Sequence, residues 1–175
     1  KAVGSSPASV CAPRSMRRAV WAAASAVIAG PNVRHDGVLP GRMSTMKFVI
    51  LVHSSPQPWG HPTGDFVAEH QALPQEQRDE MDARFGRLLT DMQEKGELVT
   101  AEALGDPARA TLHRWADGDP VASDGPYAQG EEHLAGYFLV DVVDRERAEE
   151  IARHFAGPGE TIELRPVMRS DGEEQ

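Results

Sequence analysis

A chain of 175 residues with 40% hydrophobic content suffices for one domain with a buried core. Its net charge of −9 is unevenly spread: residues 1–45 hold six basic side chains and one acidic, leaving twelve basic against twenty-six acidic downstream, a net of −14. So acidic a field with scattered basic residues argues against nucleic-acid binding, and the single cysteine, Cys11, excludes an internal disulfide and a Cys-based metal site.

The first 45 residues are rich in Ala, Ser, Pro, Val and Arg, and show no amphipathic period that pairs with later sequence. They are expected to be a disordered or upstream leader, with Met43 and Met46 as alternative starts. A second reading stays open, because Arg17 and Arg18 precede an apolar stretch from Ala19 to Gly30 that has the outline of an export signal over residues 16–30 but is too short to span a bilayer. The first reading implies a cytoplasmic protein, the second an exported one; neither implies a membrane partner.

From Met46 the pattern becomes regular. "MKFVILVH" is a β-branched, apolar run of strand length, closed by the turn-rich "SSPQPWGHPTGDF". Pro74 then opens a helix whose face carries Met81, Phe85, Leu88, Leu89 and Met92 at steps of three and four, and Gly96 ends it. "ELVTAEAL" and "ATLHRWAD" read as strands around the breaker "GDP", with "GDPVAS" as a further short strand. "LAGYFLVDVV" is nearly continuous apolar, hence a buried strand. Asp144 caps a second helix that carries Ala148, Ile151, Ala152 and Phe155 on one face, and "ETIELRPVM" closes the domain as a strand before the polar tail 169–175.

The order βαββαβ, with an optional extra strand, predicts an α+β ferredoxin-like domain over residues 46–168, with an antiparallel sheet covered by two helices on one face. The other face would be an aggregation liability if left bare, so a homodimer is expected.

"DGPYAQGEEHLAGYFLVDVVDRERAEEIARHF" followed by "IELRPV" resembles the YCII-related family, and within it the DGPF-motif branch, whose tetrapeptide stands here as Asp124-Gly125-Pro126-Tyr127 with Tyr in place of Phe. Glu132 and Leu134, Gly136-Tyr137, Arg165-Pro166, "GELVTAEAL" and "ATLHR" extend the likeness. The resemblance implies a dimeric α/β barrel and a setting beside sigma factors of the extracytoplasmic-function type. It also implies, for some members, a helix histidine paired with an aspartate for acid–base chemistry. That histidine position falls on Phe85, whose phenyl ring cannot transfer a proton, so the dyad is not carried over.

The remaining candidates are weighed residue by residue. Asp124 before Gly-Pro is good turn chemistry and is also a carboxylate at a sheet end, so a structural and an acid–base role both stand. Of the adjacent Glu131 and Glu132, only one can point inward from an extended segment, and Glu132 matches the family position. His133 would face away from it, as a rim histidine. Arg114, Tyr127 and Tyr137 are candidate substrate-binding residues, through a guanidinium fork and two amphipathic rings. Arg165 reads equally as a surface ion pair. His53, His61 and His70 group with Asp65 and Glu69 after the first strand, yet no metal-ligand spacing appears, and neither a phosphate loop nor a nucleophile elbow is present. No metal or cofactor is expected. Whether the protein is an enzyme stays open between a small-molecule-binding or regulatory module, a cofactor-independent isomerase or lyase using Asp124 or Glu132, and a purely structural dimer.

Overall fold

A computed structural model describes residues 45–168; the leader expected over 1–45 lies, but for Thr45, outside them. The chain runs β1 (Met46–Ser54), a 3-10 turn (Thr63–Phe66), α1 (Ala68–Gln71), α2 (Gln75–Glu94), β2 (Leu98–Ala103), β3 (Thr111–Ala116), β4 (Asp119–Asp124), β5 (His133–Val142), α3 (Arg145–Phe155) and β6 (Glu160–Pro166). Four strands pair antiparallel in the order β2-β5-β1-β6. Each long helix therefore carries the chain over one intervening strand, from β1 past β5 to β2 and from β5 past β1 to β6, which is the ferredoxin-like α+β arrangement expected from the pattern.

Alternation along the strands separates two faces. Phe48, Ile50 and Val52 of β1 and Phe138, Val140 and Val142 of β5 are buried with Phe85, Leu88, Leu89 and Met92 of α2 and Ala148, Ile151 and Phe155 of α3. Phe155 meets Phe85 at 5.1 Å and Phe138 at 4.4 Å between ring centroids, both near edge-to-face. The opposite face presents Val49 and Leu51 of β1 and Tyr137 and Leu139 of β5, all half-buried, and no other element covers it among the described residues.

Helix ends follow local chemistry. The Asp144 carboxylate accepts from the Arg147 N–H at 2.8 Å and caps α3, while Pro74 stands at the N-cap of α2. Where β5 begins, a Cβ on Gly136 would meet the Glu102 carbonyl oxygen at 2.8 Å, so β2 can pair there only against glycine.

Two features depart from the expected order. The loop after β1 folds a 3-10 turn and the single turn α1, too short for a periodic signal. The strands "TLHRWA" and "DPVASD" leave the main sheet and pair only with each other, as an exposed hairpin inserted between β2 and β5. Their sequences lack the apolar stripe that docking onto the sheet would require.

Candidate functional site

Two concavities flank the end of the sheet. The smaller, about 460 Å3 of empty volume, lies on the helix side among Val52, Phe85, Phe138 and Phe155, with His61 and Glu160 at its margin. Phe85, at the position where the family resemblance would put a helix histidine, packs its ring against Phe155 instead. Glu160 is engaged by the Thr63 hydroxyl. Aromatic walls and one internally satisfied polar pair leave that pocket little to act with.

The larger cleft, about 1270 Å3 including its open mouth, is framed by three segments far apart in sequence. One wall is the loop Leu104–Ala110, the other is Pro126–Ala128, and His53, His133 and Leu134 form the floor where β1 ends and β5 begins. Backbone and side-chain bonds tie this frame together. The Trp59 indole donates to the Leu104 carbonyl at 3.0 Å, the Leu104 N–H donates to Ala135 O at 2.8 Å, and the Gly125 N–H donates to Ala110 O at 2.8 Å. Asp106 accepts from the Ala108 N–H at 2.9 Å and shapes the 3-10 turn Pro107–Arg109. Gly125 adopts φ +103°, a conformation that side chains rarely take, and so turns the chain from the hairpin into the second wall.

The floor is polar and ordered. His53 Nε2 lies 3.2 Å from Glu163 Oε2, and the other oxygen of Glu163 accepts from Arg165 Nε at 2.5 Å. The Arg165 hydrogen bond, followed by that of His53, holds the Glu163 carboxyl below its ordinary value. An ionised carboxylate only accepts, so in neutral His53 the proton sits on Nε2 and Nδ1 keeps a lone pair. His133 stands tilted beside Trp59, with ring centroids 6.5 Å apart, and its Nδ1 is buried without a hydrogen-bond partner among the described residues.

The residues singled out in the sequence divide between the cleft and the surface. Tyr127 lines the cleft and is 81% exposed. Glu132 accepts from Thr161 Oγ1 at 3.3 Å, and Thr161 is the β6 register partner of His53, so Glu132 reaches the same end of the sheet. Tyr137 stands on the uncovered sheet face, opposite Leu51 and Glu102. Asp124 ends β4, exposed, with no hydrogen-bond partner among the described residues, and is outside the cleft lining. Arg114 donates to Ser123 Oγ at 3.3 Å on the hairpin. Register puts Arg114 on the hairpin face of Val121 and Leu112, and Asp124 on the opposite face with His113, so the arginine does not neutralise that carboxylate.

The histidine group of the first loop is dispersed: His53 is in the floor of the cleft, His61 borders the smaller pocket and His70 is buried in α1. Among the described residues no three His, Cys, Asp or Glu side chains form a group fit to hold a metal ion, and no helix is long and apolar enough to cross a membrane.

Sequence reading passed over His53 paired with Glu163. The signal was present as strand parity. His53 alternates with the core residues Phe48, Ile50 and Val52, and Glu163 and Arg165 alternate with Ile162 and Leu164, so all three share the uncovered face.

A four-stranded antiparallel sheet with two helices on one face and a cleft at one sheet end defines a small α+β domain of the ferredoxin-like kind. The YCII-related domain model matches residues 46–170, and the chain belongs to that family. It is also 34% identical over 98 residues to an uncharacterized protein of Rhizobium meliloti (strain 1021), an alignment that covers 50% of this chain and 77% of that protein.

Proposed function

We propose that this YCII-related domain, of the DGPF-motif type, binds a small, largely apolar molecule in the cleft between Leu104–Ala110 and Pro126–Ala128, and acts as a binding or regulatory module within a homodimer. The observation that carries the reading is the composition of that cleft: Leu104, Pro107, Ala110, Pro126 and Leu134 supply apolar wall, and a few polar groups converge at its floor. The DGP turn then serves the site indirectly, by placing Tyr127. The regulatory setting beside sigma factors of the extracytoplasmic-function type rests on the DGPF resemblance alone.

A second reading, cofactor-independent acid–base chemistry on the bound molecule, is favoured by the approach of Glu132 to the floor through Thr161. In it Glu132, or less directly Asp124, would serve as the base, with Tyr127 as a binding residue; Arg114 and Tyr137 would act from the hairpin and the sheet face.

The binding reading is tested by titrating the isotope-labelled full chain with a set of small neutral aromatic compounds and following amide shifts. The expected shifts fall on Leu104–Ala110, Tyr127–Ala128 and His133–Leu134. Tyr127→Ala and Leu134→Glu should each weaken the best binder about tenfold, on the order of 1.4 kcal/mol. Shifts confined to residues around Phe85, or no shifts at all, would reject the cleft as the site.

A further inference from the structure

We infer that His53 is a general base in the cleft, oriented by Glu163, and that the natural ligand class is a flat, weakly polar molecule bearing an acidic C–H or O–H proton. This rests on the cleft being a small-molecule site, and it replaces Asp124 and Glu132 as the group that would move a proton. Three observations converge on His53. It lines the cleft and is held at Nε2 by a carboxylate that is itself fixed by Arg165, at 3.2 Å and 2.5 Å. The same contact sets the tautomer, leaving Nδ1 as a lone-pair acceptor with no partner among the described residues. Leu104, Pro107, Pro126 and Leu134 place apolar surface beside the imidazole, against which a bound molecule would be partly shielded from water.

The chemistry follows from that arrangement. When Nδ1 accepts a proton the ring becomes an imidazolium, and Glu163 stands against it to stabilise the new charge, the role a carboxylate plays for histidine in proton transfer generally. The groups around His53 are Glu163 and Arg165 on β6, Glu132 reaching Thr161, His133 at the start of β5, and Asp106 and Arg109 on the loop wall. Prolines and the Tyr127 ring favour a flat ligand over a branched one. None of the aspartate or glutamate candidates has this combination: Asp124 is outside the lining, and Glu132 is exposed.

The probe is 5-nitrobenzisoxazole, which needs only a base. His53 Nδ1 takes the proton from the ring carbon beside nitrogen, the C–H electron pair completes a nitrile, and the N–O bond breaks with its pair leaving on a phenolate that is read by absorbance. The proton then returns to water, and no further reactant is required. The full chain is expected to turn the probe over with saturation, at least tenfold faster than imidazole at equal concentration.

His53→Asn should lose that excess. Glu163→Gln should lower the plateau several-fold, because the imidazolium that forms loses the carboxylate that stabilises it, and Glu163→Asp should restore part of the loss; a merely structural role would not follow the charge. His154→Asn, on α3 far from the cleft, serves as the control and should leave the rate unchanged. Unaltered turnover in His53→Asn, or turnover no faster than imidazole, overturns the assignment. Probe binding is followed in parallel by amide shifts: binding without His53-dependent turnover rejects this inference alone, and absence of binding rejects the cleft with it. Should His53→Asn fail to fold, as judged by circular dichroism, the loss of plateau in Glu163→Gln with recovery in Glu163→Asp decides, and equal plateaus in all three forms overturn the assignment.

Discussion

Asp124 and Gly125 are neighbours with different duties. Glycine carries the turn, because φ +103° is strained for any residue with a Cβ, whereas the Asp124 carboxylate projects to solvent from the end of β4. Gly125→Ala is therefore expected to loosen the hairpin where its N–H bonds Ala110, raising amide exchange rates in β3 and β4 about tenfold or more, while Asp124→Asn changes them by less than about twofold. Hydrogen exchange read by mass spectrometry distinguishes the two. A slowdown of probe binding in Asp124→Asn with unchanged exchange would return a chemical role to that carboxylate. At this scale the turn was legible in sequence, since Gly-Pro after Asp has few other uses. Which residue of the turn carries its geometry was not, because the backbone angle that decides it belongs to Gly125.

Beside the shared core, one arginine ties three elements together. Arg147 of α3 donates to both oxygens of Glu97 at the start of β2 and to Asp91 near the end of α2, at 2.6 to 3.2 Å, and its side chain is only 13% exposed. Arg147→Met would leave the buried Glu97 carboxylate without its partner, and a loss of about 2–4 kcal/mol in urea unfolding is expected. Arg147→Lys should recover little, since a point charge cannot serve three acceptors in a plane. The hydrogen bonds from Lys95 and then Arg147 hold Asp91 below its ordinary value, and the Arg147 hydrogen bond does the same to Glu150. A carboxyl with a depressed folded value stabilises fully above its unfolded value, near 4, and that stability is lost as pH falls through the lowered folded value. Wild type should thus lose melting temperature on acidification below about pH 4 more steeply than Arg147→Met. An equal slope in both would deny the network its part.

The long elements were legible because each buries a stripe at its own period: α2 through Phe85, Leu88, Leu89 and Met92, and β5 through alternating Phe138, Val140 and Val142. The arginine fastening was not, since Asp91, Glu97 and Arg147 come together only when α3 packs beside α2. The cleft is hidden for the same reason: residues near 53, 104–110, 126–134 and 163 meet only after the sheet has ordered its strands β2-β5-β1-β6. Strand parity predicts which face a residue occupies. It does not predict that β6 will lie beside β1 and deliver Glu163 to His53.

For the whole molecule, the uncovered sheet face is where the proposed homodimer would form. Val49 and Leu51 stand opposite Leu139 and Tyr137 in an apolar strip, bordered by Glu102 on β2 and by Glu163 and Arg165 on β6. A second copy is the proposed partner, since face-to-face pairing of sheets about a twofold axis would bury the same strip twice. Two copies of a chain whose residues 46–175 carry a net −14 repel each other at long range, and added salt screens that repulsion while leaving apolar contact in place. Sedimentation is therefore expected to show a dimer whose dissociation constant tightens, not weakens, as ionic strength rises. Leu139→Glu, at the centre of the strip, should yield a monomer with the helical and strand content of the wild type, because the side chain points away from the core. A wild-type chain that sediments as a monomer at every salt concentration, or a Leu139→Glu variant that remains dimeric, would place the interface elsewhere and leave the strip to another partner.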